Sequence, residues 1–171
     1  PYSGISSNNT KEANKLSDKY KIEPNSKKKL DERKHWLNDD YVKFISFAED
    51  QISKTGEGIV AFVTNHGFID NPTFRGMRWH LINTFDEIYI LDLHGNLKKK
   101  EISPNGGKDE NVFNIQQGVS VLFAIKQKGS KRDLGNVFHD DAFGTRDEKF
   151  KMLNNNVFST IKWKKVDYQD P

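Results

Sequence analysis

Cysteine is absent from this sequence. That excludes disulfides and thiolate-bound metal and agrees with a reducing cytoplasm, the compartment we expect. Methionine is scarce, and no apolar run approaches the roughly 20 residues of a membrane helix; no signal peptide is visible. A strong excess of one charge is also missing, since 27 Lys and Arg stand against 24 Asp and Glu. Such a mildly positive field permits nucleic acid without requiring it. What is present in quantity is aromatic: 12 Phe, 5 Tyr and 3 Trp. They supply core for one compact domain of 171 residues despite a mean hydropathy of −0.80. The opening Pro1 in place of a start methionine is read as the cut end of a longer polypeptide.

Residues 3 to 30 are rich in Ser, Asn and Lys and show no apolar period. They are expected, with the rest of 1–35, to form a mobile polar segment. From Trp36, the residues Leu37, Tyr41, Phe44, Ile45, Ala48 and Ile52 recur at three- and four-residue steps. This spacing predicts a helix ending before Gly56. IVAFV at 59 to 63 reads as a strand buried on both faces. Asn71 and Pro72 open a helix whose Phe74, Met77, Leu81 and Phe85 share a side. IYILDL at 88 to 93 and VSVLFAI at 119 to 125 are two further strands. The polar connection between them, 94 to 118, is too long to be idle in a compact domain. Thr145 and Glu148 form a capping box that opens a short helix through Phe150 and Leu153.

The order of these elements resembles the second half of the amino-methyltransferase fold, as found in large restriction-modification enzymes of the type IIG and type ISP kinds. The likeness is carried by PYSG at 1 to 4, the block at 58 to 96, KDENVFNIQQGVSVLFAIK at 108 to 126, and FGTRDEKF at 143 to 150. The resemblance implies a partial Rossmann-like α/β fold with a mixed sheet, in which a third strand lies antiparallel between two parallel ones. It implies a parent that transfers methyl from S-adenosylmethionine to the N6 of a flipped adenine in double-stranded DNA. Pro1 and Tyr2 resemble the end of that family's Asn-Pro-Pro-Tyr motif, Tyr2 being the residue that stacks on the extruded base. Phe113 matches the aromatic on the base's other side. A base must leave the duplex to present its amine, which is why stacking aromatics belong in such a site. The glycine-rich turn that holds the cofactor is not in this chain, so the chain alone is expected to be inactive. Residues 1–142 would be the second half of the catalytic domain, and 143–171 the border of a target-recognition region. The remainder of the parent polypeptide is the other expected partner, and no membrane is.

Each assignment has a plainer alternative. Phe113 is either a base clamp or a hydrophobic plug where a loop enters a strand. Thr64 and Asn65 either line a base pocket or end their strand. Lys98, Lys99 and Lys100 either contact phosphate or are solvated surface, and Arg75 and Arg78 serve packing as readily as DNA. His66 and His94 lack companions at metal-ligand spacing and read as ordinary loop histidines, with no metal expected. Two rival functions stand beside the enzyme: a non-catalytic nucleic-acid-binding α/β module, and a structural domain.

Overall fold

The computed structural model describes residues 6–32 and 35–168. Five strands form one mixed sheet: β1 (Gly58–Asn65), β2 (Glu87–Asp92), β3 (Val119–Lys126), β4 (Asn136–Asp141) and β5 (Lys164–Val166), in the spatial order β1-β3-β2-β4-β5. β3 is antiparallel to both its neighbours. β1 and β2 therefore run the same way with β3 inserted between them, as the resemblance implies. β4 adds parallel to β2, and β5 closes the order antiparallel to β4. Neither β4 nor β5 is predicted from sequence, because NVFHDD and KKV lack both an apolar run and a clean alternation.

Among the described residues, four helices accompany the sheet: α1 (Lys11–Asp18), α2 (Asp40–Thr55), α3 (Arg75–Thr84) and α4 (Arg146–Asn155). One face of the sheet buries Val60, Ile88, Ile90, Leu122 and Ala124 against α2, α3 and the preceding Phe74. Leu91, Leu93, Val119 and Val121 lie in a second cluster with Val112, Met152 and Leu153. Alternate residues of β2 thus enter different cores, as the two-residue period of a strand requires. None of the described helices is long and apolar enough to cross a membrane.

Three sequence expectations are corrected here. The stretch 3 to 30 contains α1, capped by the Thr10 hydroxyl, which accepts from the Ala13 N–H. Tyr20 is buried, and its hydroxyl donates to Glu49 at 2.8 Å. Gly76 allows this approach, since a Cβ there would sit 2.0 Å from the Tyr20 carbonyl oxygen. Periodicity misses the segment because polar contacts to α2 do much of its packing.

Secondly, the helix expected from Trp36 begins later. His35–Asn38 form a separate 3-10 turn, and Asp39 is extended before α2 starts. Gly56, at φ 78°, ends α2 in the left-handed conformation that glycine adopts without strain. Thirdly, β1 is an edge strand among the described residues rather than one covered on both faces. Val60 and Thr64 are buried, while Ile59 is 65% and Val63 45% exposed. Phe44 and Phe47 of α2 are also exposed beside it.

Candidate functional site

β1, β2 and β4 end at one edge of the sheet, the edge at which open α/β sheets bind ligands. Asn65 closes the first strand by accepting the Gly67 N–H on its Oδ1 at 2.7 Å. Arg78 donates to the carbonyls of Phe68 and Asn71, both at 2.9 Å, and so holds the turn that follows. Arg75 donates to the Leu30 carbonyl and pairs with Glu32. Both arginines are engaged in packing the fold.

The long connection after β2 is pinned from within. Asn111 is buried, its Nδ2 donating to the carbonyls of Gly95 (3.1 Å) and Gln117 (2.6 Å) while its Oδ1 accepts the Phe113 N–H. Gly95 has φ 75°, and a Cβ there would lie 2.4 Å from the Asn111 Cα. Asp109 accepts the N–H groups of Gly95 and Gly144 and pairs with Lys149 at 2.8 Å, both side chains fully buried. Lys149 also donates to the carbonyls of Leu93 and Glu110, at 2.7 Å each. With these groups satisfied, the buried pair locks α4 to both ends of the connection.

This connection separates two clefts, its ridge marked by the Leu97 N–H donating to the Gln116 carbonyl. On one side, a cleft of about 390 Å³ is bordered by Trp36, Asn65, His66, Asn96, Lys98 and Lys99. On the other, a cleft of about 520 Å³ is bordered by Leu97, Asn111, Phe113, Ile115 and Arg146. Phe113 is 44% exposed, and Arg146 donates to its carbonyl and to that of Asn111. Its ring is therefore presented at the surface rather than plugged into a core.

Asn65, Lys98 and Lys99 thus come together, and Phe113 lies across the ridge from them. Thr64 is buried opposite Ser120, and both hydroxyls lack a hydrogen-bond partner among the described residues, so Thr64 sits beneath the edge and does not line a cleft. Lys99 pairs with Asp70 at 2.9 Å, and Lys100 is exposed with φ 52°. Pro1 and Tyr2, the expected motif residues, lie outside the described residues.

The sequence reading misses a polar cluster at the same edge. The buried His66 contacts the Asp92 carboxylate through Nδ1 at 3.1 Å, and Asn96 Nδ2 lies 3.0 Å from its Nε2. His94 meets Asp141 through Nε2 at 2.8 Å, while its Nδ1 lies 3.7 Å from Asp92 and 3.9 Å from Glu101. The ring of His94 stacks on Phe143 with 3.9 Å between centroids. Gly118 leaves space for His66, since a Cβ there would lie 2.4 Å from the imidazole. Burial opposes ionisation of Asp92. The hydrogen bond from His66, the electrostatic attraction of the two neighbouring imidazole rings and the His94 N–H outweigh it and hold this carboxyl below its usual range. The histidines' companions come from segments far apart in sequence, so local spacing cannot reveal them. The one signal available was that both follow the carboxyl end of an apolar strand.

No model of a known protein family and no curated protein matches the chain. Solved structures do. The DrdV–DNA complex is similar at 32% identity over 79% of this chain, with a TM-score of 0.67. The ATP-dependent type ISP restriction-modification enzyme LlaBIII bound to DNA is similar at 28% identity over 83% of this chain, also with a TM-score of 0.67. A nuclease-deletion mutant of the type ISP enzyme LlaGI, in complex with a DNA substrate mimic, shares the fold over 99% of this chain at 21% identity and a TM-score of 0.75. This chain spans 13%, 9% and 14% of those proteins respectively. It resembles one segment of much larger restriction-modification proteins.

Proposed function

We propose that this chain is the second half of the catalytic domain of an adenine-N6 DNA methyltransferase within a restriction-modification enzyme. The observation that carries the reading is the likeness, at 28% identity over 83% of this chain, to a segment of a DNA-bound restriction-modification enzyme. The apolar surface beside β1 supports it. β1 has no strand on its outer side among the described residues. Exposed apolar side chains flank that edge on both faces, Phe44 and Phe47 on one and Ile59 and Val63 on the other. Such a strip calls for cover, and the half that holds S-adenosylmethionine is the cover we assign to it.

In this reading the extruded adenine lies at the carboxyl edge, stacked between Tyr2 and Phe113. Asn65 borders the neighbouring cleft across the ridge, Thr64 supports that rim from below, and Lys98, Lys99 and Lys100 approach the DNA backbone. We place the border of the target-recognition region in residues 143–171. Arg146, at the start of that stretch, holds the main chain of Phe113. A shift of the recognition region on DNA would then reach the clamp through Arg146.

The test is methyl transfer by the parent polypeptide from labelled S-adenosylmethionine into duplex DNA, with the product base identified by digestion and mass spectrometry. N6-methyladenine is the expected product, and the 171-residue chain alone should neither bind the donor nor transfer methyl. A parent that binds DNA without methylating it would favour the nucleic-acid-binding module instead. Phe113→Ala in an active parent should lower single-turnover methylation by roughly 5- to 150-fold, the equivalent of losing a stack of about 1–3 kcal/mol. Fluorescence of 2-aminopurine at the target position reads the same loss directly.

A further inference from the structure

We infer that His66, His94 and Glu101 form a binding site for a divalent transition-metal ion, independently of whether the chain serves a methyltransferase. The Nε2 or Nδ1 of each histidine and a carboxylate oxygen of Glu101 lie within 4.8 Å of one another. Tetrahedral ligation at about 2.1 Å separates ligand atoms by roughly 3.4 Å.

The protonation pattern selects which nitrogens face the ion. Asn96 Oδ1 accepts the N–H groups of Lys98 and Lys99, which fixes the orientation of its amide and directs Nδ2 at His66 Nε2. Nε2 therefore carries a lone pair, and the proton of His66 sits on Nδ1 against Asp92. His94 is held in the opposite tautomer. Its Nε2 proton faces Asp141 at 2.8 Å, leaving the Nδ1 lone pair toward Glu101 and Asp92. Each histidine thus has a carboxylate on its far nitrogen, the arrangement that orients imidazoles as metal ligands.

Without a cation, the Nδ1 lone pair of His94 faces two carboxylates. The cavity of about 210 Å³ over the cluster is lined by the carboxylates of Asp70, Asp92, Glu101 and Asp141, and Lys99 on its wall is paired with Asp70. The local field therefore favours a positive ion. Two imidazoles and one carboxylate suit zinc or its neighbours in the first transition row rather than magnesium or calcium, which take oxygen. The ion would displace the Asn96 amide from His66 and tie the end of β1 to both sides of the Lys98–Lys100 turn, fixing where those lysines point.

The chain, stripped with a chelator and dialysed, should bind one equivalent of Zn2+ by calorimetry and show a raised Tm in its presence. Co2+ should give the visible absorption of a low-coordinate site. Glu101→Gln retains the oxygen that accepts the Asn96 N–H but loses a charged ligand, so affinity should fall at least 10-fold. His94→Gln should fall further, and His35→Gln, on the exposed surface, should change nothing. Nitrogen NMR of the unaltered chain provides a check that needs no variant: Zn2+ should shift His66 Nε2 and His94 Nδ1 and leave the other ring nitrogens protonated. No stoichiometric uptake, equal uptake by Glu101→Gln and His94→Gln, or shifts at the opposite nitrogens would overturn the site.

Discussion

At the scale of single residues, the buried pair of Asp109 and Lys149 is the group on which the connection after β2 depends. Lys149→Met removes the cation and leaves a carboxylate in a closed interior, a change that typically costs about 3–5 kcal/mol. Urea denaturation should show that loss, and Asp109→Asn combined with Lys149→Met should show less than Lys149→Met alone, since no unpaired charge then remains. Asp92 yields a pH dependence. Its carboxyl is held below its usual range in the folded chain, so the folded state binds that proton less readily than the unfolded one. Its contribution to stability is complete above the unfolded value of about 3.9 and is lost as pH falls through the folded value. The Tm of Asp92→Asn should therefore fall less steeply than that of the unaltered chain as pH is lowered through the acid range.

At the scale of elements, turn and cap chemistry was the most legible part of the sequence. The Thr145 and Glu148 capping box forms as expected, Asn71 caps the turn through Pro72, and Phe74, Met77, Leu81 and Phe85 are all buried. These features depend on neighbours within a few residues, so local sequence carries them. Replacing Thr145 with Ala should destabilise α4 by about 1 kcal/mol. Gly95→Ala is the harsher change, because it adds left-handed strain of about 1–2 kcal/mol to a collision with the Asn111 backbone. Limited proteolysis after Lys98–Lys100 should accelerate in that variant while the cleavage of α2 stays slow. By contrast, β4 was illegible. NVFHDD has half-buried residues throughout and becomes a strand through pairing with β2 and β5.

At the scale of the whole molecule, the apolar surface beside β1 bears on solution behaviour. The exposed Phe44, Phe47 and Ile59 form a strip that favours association. The isolated chain should self-associate with rising concentration in sedimentation experiments. Phe47→Glu with Val63→Lys should suppress this with little change in Tm, since both side chains are already exposed. The same pair of changes should disable the parent enzyme if the cofactor half covers this edge.

The sequence by itself determined the α/β class, three of the five strands among the described residues, the inserted antiparallel strand through family likeness, and the Asn71 and Thr145 caps. Each is set by apolar period, by short-range hydrogen bonding or by an ordered series of motifs, all of which are written along the chain. Only the tertiary structure decided that β1 lies at an edge, that Thr64 is sealed beneath the site while Phe113 is held out in its own cleft, and that α1 packs through Tyr20. It alone brought His66 to Asp92, and His94 to Glu101 and Asp141. Their ends meet because β2 and β4 pair in parallel and β1 points the same way across β3. Strand order of that kind is fixed by the closing of two cores on either side of a sheet, which no local stretch of residues encodes.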